Sequence, residues 1–103
     1  MTALGSRWID GGVRSSANAD LAAGYERVVV LAPLAAGLGA MARPSTQVEA
    51  LAATGRATLV TPDREARRAF GRNVLDPATR PPAARAGRRQ SADVVDAVRA
   101  VWQ

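Results

Sequence analysis

Two short apolar runs limit the folds open to this chain more than any other feature. Val28 to Leu31 is apolar without alternation, and Ala57 to Val60 is a second run of the same kind. Such runs are typical of parallel strands covered on both faces. Ser45 to Thr54, between them, has helical spacing that places Val48 and Leu51 on one face, and Ser45 is predicted to cap this helix. Strand, helix and strand predict a right-handed βαβ crossover, and therefore an α/β fold with a short parallel sheet.

The residues before this unit predict a strand that leads into a turn. Arg7, Trp8 and Ile9 favour a short strand, and Gly11 and Gly12 after Asp10 allow a sharp turn. Asp10 is therefore expected at the end of a strand, exposed to a cleft, where a carboxylate is suited to proton transfer. Asp-Gly is also one of the commonest turn dipeptides, and from the dipeptide alone a plain turn is the favoured interpretation.

A short helix is predicted from Ser16 to Gly24. Ser16 or Asn18 can cap its first turn, and Asp20 lies near its positive end. Asn18 and Asp20 are interpreted as helix caps rather than as site residues.

The C-terminal part predicts further helices. Asp63 can cap a helix from Arg64 to about Phe70, a second helix begins near Pro82, and an amphipathic helix runs from Ser91 to Trp102. Four arginines precede this last helix. They are interpreted as a solvent-exposed face or as partners of nearby aspartates, and contact with an anionic lipid headgroup is the more specific alternative. These arginines are Arg80, Arg85, Arg88 and Arg89, and the aspartates are Asp93 and Asp96.

Composition excludes several classes of protein. The chain has no cysteine and no histidine, which excludes disulfides and thiolate metal sites and makes a transition-metal site unexpected. Its net charge is +5 and every basic residue is arginine, but acids are interspersed, so we expect no specific nucleic-acid partner. No apolar run approaches a membrane span and no signal peptide is visible, so the expected location is cytoplasmic, with peripheral membrane contact open. No cofactor is predicted.

An ordered series of motifs extends over nearly the whole chain. It comprises Asp10-Gly11-Gly12-Val13-Arg14-Ser15, Asn18-Ala19-Asp20-Leu21-Ala22, Gly24-Tyr25, Val28-Val29-Val30-Leu31-Ala32-Pro33, Thr61-Pro62-Asp63, Gly71-Arg72-Asn73-Val74-Leu75-Asp76-Pro77 and Gly87-Arg88-Arg89-Gln90. The series resembles the C-terminal part of a bacterial patatin-like phospholipase domain and matches only the back half of that domain.

The resemblance implies a lipid acyl hydrolase with a Ser-Asp dyad and a partial patatin-like fold. Asp10 matches the aspartate that acts as the base, and Gly11 and Gly12 complete its motif and orient it. The substrate implied is a lipid or another carboxylic ester, and no cofactor or metal is implied.

The chain departs from this family at the nucleophile. None of its five serines lies in the Gly-x-Ser-x-Gly setting that presents a nucleophile on a strand-to-helix turn, and the glycine-rich oxyanion loop is absent. We therefore expect residues 1–103 to supply the base of the dyad without its serine, and to be inactive alone.

Two other classes of function remain open. The chain is also compatible with a non-catalytic interaction module that docks, or self-associates, through an exposed sheet edge. Gly37 and Gly39 give a weak match to a nucleotide- or anion-binding loop. In the same segment, Leu34, Leu38 and Met41 are candidates for contact with lipid.

Overall fold

The computed structural model describes residues 1–34, 36 and 42–103, and over this part the chain is a mixed α/β protein. Gly37, Leu38, Gly39 and Met41 lie outside the described residues, and with them most of the predicted nucleotide loop and lipid contact. The strands are β1 (Thr2–Ala3), β2 (Ser6–Arg7), β3 (Arg27–Leu31) and β4 (Arg56–Val60). The helices are α1 (Pro44–Ala52), α2 (Arg64–Phe70) and α3 (Arg80–Trp102), with 3₁₀ turns at Gly11–Val13, Ala19–Ala22 and Pro77–Thr79.

The two predicted strands pair in parallel, as expected, but they are less covered than predicted, because β4 is only half-buried and Leu31 of β3 is 72 % exposed. The register places Arg27 opposite Arg56 and Leu31 opposite Val60, and α1 lies between the strands in sequence. Ser45 does not cap α1. The helix begins one residue earlier, with Pro44 in its first turn, where its fixed φ suits the helix and its missing N–H costs nothing.

The core lies where α1 and the Ala19–Ala22 turn meet this small sheet. α1 contacts both β4 and the turn, and α3 contacts both strands. The buried side chains of this cluster are small or medium in size, so the core is thin: Ala19, Val28, Val30, Ala32, Val48 and Leu51.

The N-terminus forms a separate antiparallel hairpin, and the predicted strand through Ile9 is wrong. β1 and β2 each have two residues, with Thr2 opposite Arg7. The hairpin is closed by Trp8, whose backbone N–H donates to Met1 O at 2.8 Å and whose Nε1 donates to Ala3 O at 2.9 Å.

The C-terminal half confirms one predicted helix and corrects another. Asp63 caps α2 by accepting from Ala66 N at 2.8 Å, and Gly71 ends it with a φ of 67°. The two predicted C-terminal helices are one helix, α3, of 23 residues. Pro81 and Pro82 fall in its first turn, where backbone N–H groups have no intrahelical acceptor, so they do not break it.

Within the described part of the chain, no helix combines the length and apolar character needed to cross a membrane.

Candidate functional site

Asp10 lies at the start of a 3₁₀ turn and not at the end of a strand. β2 ends at Arg7, and Asp10 is the N-cap of the Gly11–Val13 turn, with φ −64° and ψ 129°. One carboxylate oxygen, Oδ1, accepts from Gly12 N at 2.7 Å. The side chain is thereby anchored through one oxygen, and Oδ2 has no hydrogen bond to any described residue.

Gly12 leaves room for the Asp10 carboxylate in its observed position. A Cβ atom at residue 12 would lie 3.1 Å from Asp10 Oδ1, which is closer than ordinary van der Waals contact. A Cβ at Gly11 would instead lie 3.5 Å from Asn18 Nδ2, an ordinary contact. The second glycine of the motif is thus the one that makes room for the acid.

A polar network fixes the segment that follows Asp10. Arg14 makes a bidentate pair with Asp20, with Nη1 to Oδ1 at 2.9 Å and Nη2 to Oδ2 at 2.5 Å. Arg14 Nη1 also donates to Asn18 Oδ1 at 2.9 Å, and Asn18 Nδ2 donates to Gly11 O at 3.0 Å. The network therefore connects the Ala19–Ala22 turn to the first residue of the Asp10 turn.

This network corrects the predicted capping roles and the predicted helix from Ser16 to Gly24. Only Ala19–Ala22 is helical, and it is a 3₁₀ turn. Asn18 has left-handed backbone angles (φ 49°, ψ 31°) and makes no side-chain cap. Both polar residues brace the loop because Arg14 and the Gly11 carbonyl lie within reach and offer stronger partners than the turn's own amides.

Gln47 joins α1 to the same network from the buried side. Its Nε2 donates to Ser15 Oγ at 3.2 Å and to Asp20 Oδ1 at 3.1 Å, and its Oε1 accepts from Ala19 N at 3.2 Å. Ser15 and Gln47 are buried, so these bonds form away from water, where an unpaired partner would be costly. The sequence contains no motif that indicates this role of Gln47.

The Arg14–Asp20 pair changes the ionisation of both groups. The hydrogen bond from Arg14 lowers the pKa of Asp20 below its ordinary value, and the bond to Asp20 raises the pKa of Arg14. Asp20 therefore stays charged in moderately acidic solution and keeps the brace closed.

Asp10 lies at the edge of an open groove with a cavity volume of about 830 Å³, here called the Asp10 groove. Asp10 and Gly12 line one part of it, and α2 contributes Arg67 and Phe70. Ser16 lines it as well, and its Oγ is buried with no hydrogen-bond partner among the described residues. The remaining lining residues are Pro33, Leu34, Ala36, Gly71 and Val74.

The groove combines an acid with a mainly apolar surface. Pro33, Leu34, Phe70 and Val74 are apolar, and Asp10 and Arg67 supply charges of opposite sign. Arg67 is held in place by donating from Nη1 to Pro62 O at 2.8 Å. Such a lining accepts an apolar chain beside a polar group.

The structure brings together only some of the predicted site residues. Asp10, Gly11 and Gly12 form one turn, and Leu34 lies in the same groove as Asp10. Sequence reasoning missed Arg67, Phe70 and Val74, which approach Asp10 from a distant part of the chain. Within the described residues, no group of acidic side chains is placed to hold a metal ion.

No protein-family model matches the chain, and comparisons with curated proteins and with solved structures also give no match.

Proposed function

We propose that this chain is the segment of a patatin-like lipid acyl hydrolase that carries the base of a Ser-Asp dyad, and that Asp10 is that base. One observation supports the proposal most directly. The Asp10 carboxylate is anchored through Oδ1 alone, at the edge of a groove whose lining is mainly apolar. The motif resemblance supplies the identity of the reaction, and the groove supplies a place for an acyl chain.

In the proposed reaction, a serine hydroxyl from a separate segment attacks the ester carbonyl while Asp10 accepts its proton. The ester C–O bond breaks, Asp10 gives the proton to the leaving alcohol, and the acyl group remains on the serine oxygen. Water then attacks the acyl-serine while Asp10 accepts a proton from it. The bond between the acyl carbon and the serine oxygen breaks, Asp10 returns the proton to that oxygen, and the fatty acid is released. Oδ2 is the oxygen suited to this exchange, because Oδ1 is engaged by Gly12 N.

The proposal includes the patatin-like fold. β3 and β4 pair with each other, and within the described residues each has one edge that no third strand covers. Parallel sheets are normally larger than two strands, so further strands beside β3 or β4 would complete a covered sheet. We place the segment with the nucleophile beside these open strand edges.

The proposed location of the protein is the cytoplasm, peripheral to the membrane.

The test is reconstitution with a segment that carries a Gly-x-Ser-x-Gly motif and its oxyanion loop, taken from a bacterial patatin-like phospholipase. Turnover of a p-nitrophenyl ester is expected from the mixture and not from either part alone. Asp10→Asn should lower this turnover about a hundredfold or more, the usual effect of removing a general base. Asp76→Asn is the matched control, because Asp76 also caps a 3₁₀ turn but lies outside the groove.

Equal turnover in the Asp10→Asn and wild-type mixtures would overturn the assignment of Asp10. The open edges of β3 and β4 also favour a second candidate, a non-catalytic module that docks through its sheet. Formation of a stable complex, or of a dimer of this chain, without any turnover would support that second function.

A further inference from the structure

The whole of the net positive charge lies in one part of the fold. Residues 64–90 contain eight arginines and two acids, whereas residues 1–63 contain five of each and residues 91–103 contain one arginine and two aspartates. Residues 64–90 comprise α2, the connection through Pro77–Thr79 and the first half of α3, and α2 packs against α3. The rest of the molecule is close to neutral.

Most of these arginines are exposed and lack an acidic partner. Arg89 pairs with Asp63, Glu65 and Asp93, and Arg67 donates to the Pro62 carbonyl. The other six are exposed, and none forms an ion pair with a described residue: Arg64, Arg68, Arg72, Arg80, Arg85 and Arg88. Their charge is therefore available to an external anion.

An apolar patch lies beside two of the eight arginines, Arg67 and Arg80. Pro33, Leu34, Phe70 and Val74, here called the shared patch, line the Asp10 groove and also a second groove of about 360 Å³. Arg67 borders the first groove and Arg80 borders the second. The shared patch is thus bordered by a cation in each groove.

Three aliphatic side chains in this region are largely exposed, and contact with water is unfavourable for them. Leu34 and Val74 are each 57 % exposed, and the neighbouring Leu75 is 87 % exposed. Exposed aliphatic side chains in an arginine-rich part of the fold suit a membrane surface, whose headgroups are negatively charged and whose interior is apolar.

We propose that the face formed by α2, the first half of α3 and the shared patch binds anionic membrane surfaces. The arginines contact lipid phosphates, and Leu34, Val74 and Leu75 enter the headgroup boundary. Nucleic acid is the other polyanion to consider. The most exposed apolar side chains here are aliphatic, and Phe70, the aromatic residue of the shared patch, is half-buried, so the face has no row of exposed rings for stacked bases, which favours lipid. This proposal goes beyond the ester-hydrolase proposal and does not depend on it.

The experiment is co-sedimentation of the full 103-residue chain with vesicles. Neutral phosphatidylcholine vesicles are compared with vesicles in which about one quarter of the lipid is phosphatidylglycerol. Binding is expected only to the anionic vesicles and should weaken as salt is added, because salt screens exposed charges.

The triple variant Arg80→Gln, Arg85→Gln and Arg88→Gln should weaken vesicle binding about a hundredfold, since each arginine near an anionic surface contributes about a fivefold gain. The matched control is Arg7→Gln, Arg27→Gln and Arg43→Gln, which removes the same charge from exposed positions elsewhere. The control should retain most of the binding. Circular dichroism of both variants checks that the helices remain.

A second variant tests the apolar part of the face. Leu75→Gln should weaken binding several-fold, and Leu21→Gln, at a side chain 70 % exposed outside this face, should leave it unchanged.

Three outcomes would overturn the proposal. The first is an equal loss of vesicle binding in the two triple arginine variants, and the second is equal binding to neutral and anionic vesicles. The third is binding to single-stranded nucleic acid that is tighter than binding to vesicles and that depends on Arg80, Arg85 and Arg88. Vesicle binding is measured on the chain alone and ester turnover on the reconstituted mixture, so failure of this proposal is distinguishable from failure of the hydrolase proposal.

Discussion

At the scale of single residues, the candidate site depends on short contacts within one turn. Gly12 supplies the N–H that holds Asp10 Oδ1 and has no side chain to displace it. Gly11, its neighbour in the same motif, meets only an ordinary contact with Asn18. The two glycines therefore have different roles, although the motif presents them as a pair.

We expect Gly12→Ala to displace the Asp10 carboxylate and Gly11→Ala to leave it in place. The added methyl group at residue 12 would lie 3.1 Å from Oδ1, and the flexible carboxylate would move away from the residue-12 amide. Hydrogen exchange of that amide, measured by NMR, should become several-fold faster, as expected when a hydrogen bond is lost. Equal exchange rates in the two variants would contradict the distinct role of Gly12.

At the scale of elements, the effect of replacing a glycine on stability depends on the atoms that surround it. Gly55 lies between α1 and β4, and a Cβ there would approach the Glu26 carbonyl oxygen to 2.9 Å. Arg56 N donates to the same oxygen at 2.8 Å, so the start of β4 is held tightly against the start of β3. Gly87 lies in the middle of α3 with nothing within 4 Å of its added Cβ.

The matched pair Gly55→Ala and Gly87→Ala should therefore change stability in opposite directions. Gly55→Ala forces backbone to move and should lower the free energy of unfolding by about 1–3 kcal/mol. Gly87→Ala should raise it by about 0.5–1 kcal/mol, because alanine is the better helix former and an exposed position accepts its methyl group. Urea unfolding measures both changes. Destabilisation by Gly87→Ala would contradict the exposed setting of Gly87 in α3.

At the scale of the whole molecule, two charged clusters connect segments that are distant in sequence. Arg14, Asp20 and Gln47 connect the Asp10 loop to α1, and Arg89 connects α3 to Asp63 at the start of α2. Two hydrogen bonds lower the pKa of Asp63 in the folded protein. The larger effect comes from the backbone N–H of Ala66, and the next comes from the Arg89 side chain. The pKa of Asp20 is lowered chiefly by the bond from Arg14.

These lowered pKa values predict a loss of stability in acid. A carboxyl group with a lower pKa in the folded state stabilises the fold fully above its ordinary pKa of 3.8 and progressively less as the pH falls below it. Thermal unfolding between about pH 6 and pH 2 should therefore show a falling Tm below about pH 4. Arg14→Gln should reduce this acid dependence, whereas Arg27→Gln should retain it, since no described acid pairs with Arg27. An unchanged profile in Arg14→Gln would contradict the role of the Arg14–Asp20 pair.

The sequence by itself determined the parallel strand pair, α1 between its strands, the cap at Asp63 and the turn at Asp10, because these follow from local apolar spacing and from short-range hydrogen bonding. Only the tertiary structure decided that Asn18 and Asp20 brace the Asp10 loop, because their partners Arg14 and Gly11 compete with a local cap. It also decided that α3 is continuous, since the prolines fall in its first turn. Above all, it placed Arg67, Phe70 and Val74 along the same groove as Asp10, an arrangement of residues some sixty positions apart that no local pattern encodes.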